Sequence, residues 1–397
     1  MTGANNKTGK IRDPSKWKDF LLYGTLFATT LSFCYLDFLP NLGKIIGSLA
    51  VIFCSANIVI GTKKSHPSKY ALLLISFFAT LCLSSLINSE SDIRSFIYLA
   101  IRTLGLTFCI EKNLSSRPQK TINALAKVLQ TLVLINFLTI IFFPNGMYST
   151  SRYETNWFFM YDNTHFMWYL AAILTSVIDQ MINNKKRIVL IVLLIITSFC
   201  TFYCMSATSV VAYVFLLINL FILLIRKKPF LTYGKRLIAY LFANYLIIYA
   251  QIQRYFEWFI VGILGKGLTF TGRTTIWERT IELISQKPIL GYGFETTNFS
   301  KKLGSIFYTH AHNTILDIFY KGGIIAIIFF ILMLLEIGNC IKKCSDKLLA
   351  GIISASVSCC FIVMLLEARE DKIGLYIVFV IAANINSLLL RKGVSHA

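Results

Sequence analysis

A chain of 397 residues that is 56% apolar and 15% charged, with a mean hydropathy of +0.65, is too greasy for a water-soluble domain of its size. Its formal charge of +20 would point a soluble protein toward nucleic acid, but the lysines and arginines cluster in alternate connections, as membrane topology imposes, so no nucleic-acid partner is expected. The ten cysteines lie mostly within apolar runs and none shows CxxC spacing, which argues against a metal or redox centre.

Lys7, Lys10, Arg12, Lys16 and Lys18 precede the first apolar run with no small-residue cleavage site after them, so a retained, cytoplasmic N-terminus is expected. A span needs about 20 apolar residues. That yardstick gives twelve candidates, at 20–36, 42–60, 69–87, 94–110, 121–143, 164–182, 187–204, 206–226, 236–250, 314–337, 348–366 and 372–390. Runs such as IVLIVLLIITSF exclude the short alternating strands of an outer-membrane barrel, so the expected fold is all-α, a single polytopic helical bundle over 1–397.

Basic clusters follow each even-numbered span: Lys63 and Lys64, Arg117 and Lys120, Lys185 to Arg187, Arg226 to Lys228 with Lys235 and Arg236, Lys342 and Lys343, and Arg391 and Lys392. Both termini are therefore placed inside, and segments 144–163 and 251–313 outside. The first of these carries Arg152, Glu154, Asp162 and Asn163 among aromatics, with His165 just beyond. Two readings stand side by side: an interfacial aromatic belt with Trp157, Tyr161 and Trp168, or a wall of a glycan site.

The second segment holds the chemistry-bearing residues. Gly272 ends an apolar stretch, and Trp277, Ile281 and Ile284 then recur at helical spacing until Pro288, a short amphipathic helix at the outer surface. Arg273 precedes Trp277 by four residues, so its guanidinium can stack on the indole; alternatively it snorkels at the interface. Gly291 and Gly293 permit a tight turn whose amides can approach a ligand. His310, Ala311, His312 and Asn313 then lead into the tenth span. Histidines two apart cannot share a helix face, so they do not read as a helical metal pair.

The start of that tenth helix offers unpaired N–H groups to an anion, and Arg273, Arg279, Lys301 and Lys302 add positive charge nearby. A diphosphate suits such a place, with a neutral histidine beside it to take a proton from an alcohol. Asp317 either orients the histidine or pairs with Lys321. Glu278, Glu282 and Glu295 read as surface partners.

These elements together resemble the O-antigen ligase and polysaccharide polymerase superfamily, which carries GR-x3-W, then P-x-x-G-x-G, then HN-x-x-L before a glycine pair. Here they are Gly272, Arg273 and Trp277; Pro288, Gly291 and Gly293; His312, Asn313 and Leu316; and Gly322 with Gly323. The resemblance covers residues 200–340. It implies an inverting, metal- and cofactor-independent glycosyltransferase in the bacterial cytoplasmic membrane, with 251–313 as its extracytoplasmic catalytic loop. Its donor is an undecaprenyl-diphosphate-linked oligosaccharide, and its acceptor a growing polysaccharide or another glycan acceptor, within the lipid bilayer. Carried over, His312 is the base and Arg273 the phosphate ligand. Trp277, Arg279, His310, Asn313, Asp317 and Asn163 are expected beside them as substrate contacts.

One departure stands out. Members place a second arginine where this chain has CMSATSVVAY, so a second cation must come from elsewhere, among Arg102, Arg152 and Arg254. Arg102 is favoured because an arginine inside a span is costly unless it faces a cavity; otherwise it pairs with an acid such as Asp179 or snorkels. Polymerase is preferred to ligase. A lipid-linked oligosaccharide flippase is the competing class, and it would instead show repeated halves and broken helices near the bilayer midplane.

Overall fold

The computed structural model describes residues 14–34, 39–64, 67–150, 153–250, 273–295, 297–304 and 309–389; Arg152, Arg254, Gly272, Arg391 and Lys392 fall outside them. The apolar runs fold as helices: α1 (Pro14–Ser32), α2 (Pro40–Lys64), α3 (Lys69–Ile87), α4 (Ile93–Ser116), α5 (Pro118–Phe142), α6 (His165–Asn183), α7 (Arg187–Cys204), α8 (Ala207–Arg226) and α9 (Tyr233–Asn244). The polar insert adds α10 (Arg273–Gln286) and α11 (Thr297–Lys302). The chain then continues into α12 (Thr314–Lys343), α13 (Lys347–Leu366) and α14 (Ile373–Ala383).

The protein is an all-α, multi-pass membrane protein: among the described residues, nine helices are long and apolar enough to cross a membrane. Each of the twelve expected spans has a helix, but two are shorter than read. The ninth gives way after Asn244 to a π-helical turn, Tyr245–Tyr249, and the twelfth is an 11-residue helix followed by a 3-10 turn, Ile385–Leu388. At 1.5 Å per residue, α14 rises only ~16 Å, about half a hydrocarbon core. It is buried from Ile373 to Ala382, packed by α4, α6, α12 and α13, so its polar ends meet protein rather than lipid.

Helix starts are set by side chains that take up orphan amides. Asp92 accepts from Ser95 N at the head of α4, Asn313 from Leu316 N at α12, and Asp346 from Leu349 N at α13. Connectivity then gathers the ends of α1, α3, α5, α7 and α13 and the starts of α4, α6, α8, α12 and α14 at one end of the bundle, together with the polar insert. The basic clusters from Arg117 to Lys343 lie at the other.

One joint at this end governs where the site sits. Gly323, with φ 63° and ψ −166°, breaks α12 one-third of the way along. The break frees helix carbonyls, and the PILGYG turn bonds to them: Tyr292 N donates to Tyr320 O at 2.8 Å and Gly293 N to Lys321 O at 2.9 Å. Ile324 N, detached from its own helix, donates to Pro288 O at 2.8 Å, and Ser84 of α3 adds its hydroxyl to Lys321 O at 2.8 Å. The irregular backbone is thus satisfied within protein. A Cβ on Gly291 would sit 2.3 Å from Tyr320 O, and one on Gly323 2.1 Å from Ile289 O, so both glycines are required by close approach as well as by positive φ. The amides of this turn serve α12, and the expected approach to a ligand is not what they do.

Candidate functional site

The turn 367–372, between α13 and α14, reads Glu-Ala-Arg-Glu-Asp-Lys, and the motif residues converge on it. Arg273, at the head of α10, places Nη2 2.8 Å from Glu367 Oε1, while Nδ1 of His312 lies 3.6 Å from Oε2 and Arg369 Nη2 4.0 Å from the same oxygen. Thr314 locks the turn to α12: its hydroxyl donates to Glu367 O at 2.7 Å and accepts from Arg369 N at 3.0 Å. Arg369 reaches across to donate to Asn163 O at 2.6 Å. Arg273 and His312 therefore share one carboxylate although they come from different ends of the insert.

Burial pushes the Glu367 carboxyl up, but the His312 ring and the guanidinium groups of Arg369 and Arg273 outweigh it and hold it at about 2. In direct contact, one carboxylate faces two guanidinium groups, so an anion brought beside Arg273 would meet a cation that Glu367 alone does not saturate. Among the described residues, Arg369 Nε and His312 Nδ1 are buried without a hydrogen-bond partner. The His312 side chain is 23% exposed, Arg273 14% and Arg369 2%, so the imidazole and Arg273 are the accessible members and Arg369 stands behind them.

The loop before α12 is built to present His312. Ala311 is gripped at both ends: its N–H donates to Asp317 Oδ1 at 2.8 Å, and its carbonyl accepts the Trp277 indole N–H at 2.9 Å. His312 itself has φ 50°, a left-handed conformation that costs a non-glycine residue ~1 kcal/mol or more and persists where the surroundings enforce it. His310 Nδ1 accepts from His312 N at 3.2 Å, and the two rings lie 4.1 Å apart. Burial, then the neighbouring His312, push the His310 imidazole down to about 3, so it is neutral near pH 7.

Several residues expected at the substrate belong to the scaffold. Trp277 is 1% exposed and packs in the small core around Tyr292 and Tyr320, so neither Arg273 nor a sugar stacks on it. Asn313 is fully buried: it caps α12 and donates to Asn244 Oδ1 and Leu365 O. Asp317, also fully buried, pairs with Lys321 at 2.6 Å and holds the Ala311 amide rather than an imidazole. Arg279 lies on the exposed face of α10.

Asn163 meets the site through its backbone carbonyl; its side chain accepts from Ser206, which opens the small-residue stretch of α8. Lys302 is bound to Glu295 at 2.8 Å and Glu90 at 2.9 Å, and Glu295, expected at the surface, is 1% exposed and takes the Tyr320 hydroxyl. Arg102 lines a separate cavity, with its guanidinium over the Phe33 ring at 4.1 Å. Arg152 and Arg254 lie outside the described residues.

The residues that sequence reasoning missed are Glu367, Arg369 and Glu370. Lys321 Nζ pairs with Glu370 as well as Asp317, each at 2.6 Å, and burial, then Asp317, push the Glu370 carboxyl well up. The signal was available: five charged residues crowd a six-residue turn between two apolar runs. His310, His312 and Glu367 also bring three ligand-type atoms within 4.8 Å, a group able in principle to hold a metal ion despite the expectation of none. Its charge balance opposes that use, since a divalent cation there would displace or adjoin Arg273 and Arg369.

Residues 190–331 match the family described as O-antigen ligase. A stretch of 86 residues is 33% identical to the exopolysaccharide production protein ExoQ of Rhizobium meliloti (strain 1021), covering 19% of this chain and 20% of that relative's length. Over these stretches the chain is similar to the family that its motifs resemble, and it spans about one-fifth of the length of the curated relative.

Proposed function

We propose that this O-antigen ligase-like chain polymerises undecaprenyl-diphosphate-linked oligosaccharide repeats into a surface polysaccharide by inverting, metal-independent glycosyl transfer, at the outer face of the bacterial cytoplasmic membrane with both termini inside. The observation that carries this reading is the meeting of Arg273 and His312 on Glu367, with Arg369 behind them. A guanidinium that neutralises a leaving diphosphate and an imidazole that accepts a hydroxyl proton are the two needs of the reaction.

The acceptor hydroxyl attacks the anomeric carbon as His312 takes its proton. The new C–O bond forms, the bond to the diphosphate oxygen breaks, and the departing electron pair rests on phosphate oxygen beside Arg273. Glu367 faces Nδ1 of His312, which leaves Nε2 for the substrate and stabilises the imidazolium that forms. Transfer to a different glycan acceptor, the ligase reaction, uses the same groups and differs only in the acceptor.

Purified chain incubated with carrier-linked repeat units, with and without chelator, is expected to give a ladder of longer glycans in both. His312→Ala and Arg273→Ala should each lose at least ~100-fold in rate while remaining folded in detergent. A ladder retained by His312→Ala removes that residue from the chemistry, and movement of units across vesicles without a ladder supports the flippase class instead.

A further inference from the structure

A cavity of about 380 Å3 opens at the same end of the bundle, lined by Asp371, Lys372 and Thr164 but by none of Arg273, His312, Glu367 or Arg369. It is within the size range of small-ligand sites. Its other walls come from the end of α1, the starts of α4 and α6 and Phe294, just after the PILGYG turn, so it is built where five external connections meet.

The chemistry of its lining is mixed. Arg102 and Lys372 are countered by Asp92 and Asp371, so the cavity carries no surplus charge for an anion. Phe33, Trp168 and Phe294 supply aromatic walls, yet the charged and hydroxyl groups between them make it unfit for an acyl chain. Arg102 is held in place: it lies over Phe33, donates to Tyr98 O at 3.1 Å and to both Ser32 oxygens at 3.2 Å. Donors and acceptors fixed between aromatic rings suit a ring-shaped, uncharged ligand that presents hydroxyls and C–H faces together.

We propose that this cavity is a glycan subsite that seats a neutral hexose of the substrate beyond the sugar being joined, an inference that rests on the glycosyltransferase reading. The 367–372 turn is the shared wall. Asp371 follows Glu367 by four residues, so their α-carbons lie at most ~14 Å apart, a reach that a few linked sugars cover.

The test uses the full chain in detergent and saturation-transfer NMR with glucose, galactose, mannose and glucuronate, and separately titrates inorganic pyrophosphate. At least one neutral hexose is expected to bind saturably, to be weakened ~10-fold or more by Ser95→Phe, at the exposed rim, and by Arg102→Gln, and to be indifferent to Arg273→Gln. The proposal is overturned if no neutral hexose binds, if both cavity variants bind as the parent does, or if glucuronate is preferred. Pyrophosphate binding should be lost in Arg273→Gln alone; failure of that arm strikes the diphosphate centre and leaves the hexose result to decide the cavity.

Discussion

The glycine joint and the charged centre draw on the same run of motif residues and hold together by different physics. At the joint, Pro288 to Gly293 and Tyr320 to Ile324 exchange backbone hydrogen bonds across a break in α12, and no titratable group takes part. At the centre, Arg273, His312, Glu367 and Arg369 meet through side chains whose contacts depend on charge. The glycines fix the fold of the insert against α3 and α12; the charged residues hold what that fold exposes. A shared motif therefore mixes backbone scaffold with a charged side-chain cluster, and the two parts should fail in different ways when altered.

The largest expected effect is at the joint. Gly323→Ala puts a methyl 2.1 Å from Ile289 O at a φ of +63°, so it should cost about 3 kcal/mol or more and deplete folded protein in detergent melting experiments. Gly304→Ala sharpens the comparison: its φ is +69° but its Cβ meets nothing within 4 Å, so only the strain of about 1–2 kcal/mol remains. Equal melting of the two variants would mean that the joint is not the close-packed contact described.

At the centre, Glu367→Gln should do the opposite, leaving a folded chain with altered chemistry. Loss of the carboxylate removes the group that orients Arg273 and stabilises a protonated His312, so transfer should slow ~10–100-fold. The same change removes a competing negative charge, so inorganic pyrophosphate should bind more tightly to the variant than to the parent. A slower enzyme with tighter anion binding is the signature of a positioning carboxylate; parallel loss of both would make Glu367 merely structural.

How much of this was legible in the sequence follows the same division. Apolar runs gave the helices, because a span must satisfy its own backbone, but the break in α12 depended on partners thirty residues upstream, which local pattern does not encode. Arg273 and His312 were named from motif spacing. Glu367 and Arg369 were not, because a six-residue connection between spans was read only as a connection. Trp277, Asn313 and Asp317 were given to the substrate when they hold the loop that carries His312; an asparagine three residues before the first capped amide, Leu316, was the available sign that Asn313 is a cap. Arg102, favoured as the second cation, lines a cavity apart from the cluster that holds Arg273, and the second guanidinium of that cluster is Arg369.

The smallest expected effect is a pH dependence that belongs to the centre and not to the joint. His310 is pushed from 6.5 down to about 3, so the unfolded chain binds a proton in this interval that the folded chain refuses. The stability this group contributes is present above pH 6.5 and is lost as pH falls toward 3. Glu367, held at about 2 against 4.5 for an ordinary glutamate, adds its own loss only below about pH 4.5. Between pH 6.5 and 5 the His310 contribution can thus be read separately, as a fall of at most ~1 kcal/mol per pH unit for a side chain that is only half-buried. Melting curves of the parent and of His310→Asn across that window should diverge as the pH falls, with the variant the flatter. Two parallel curves would mean that His310 titrates in the folded chain as it does in the unfolded one.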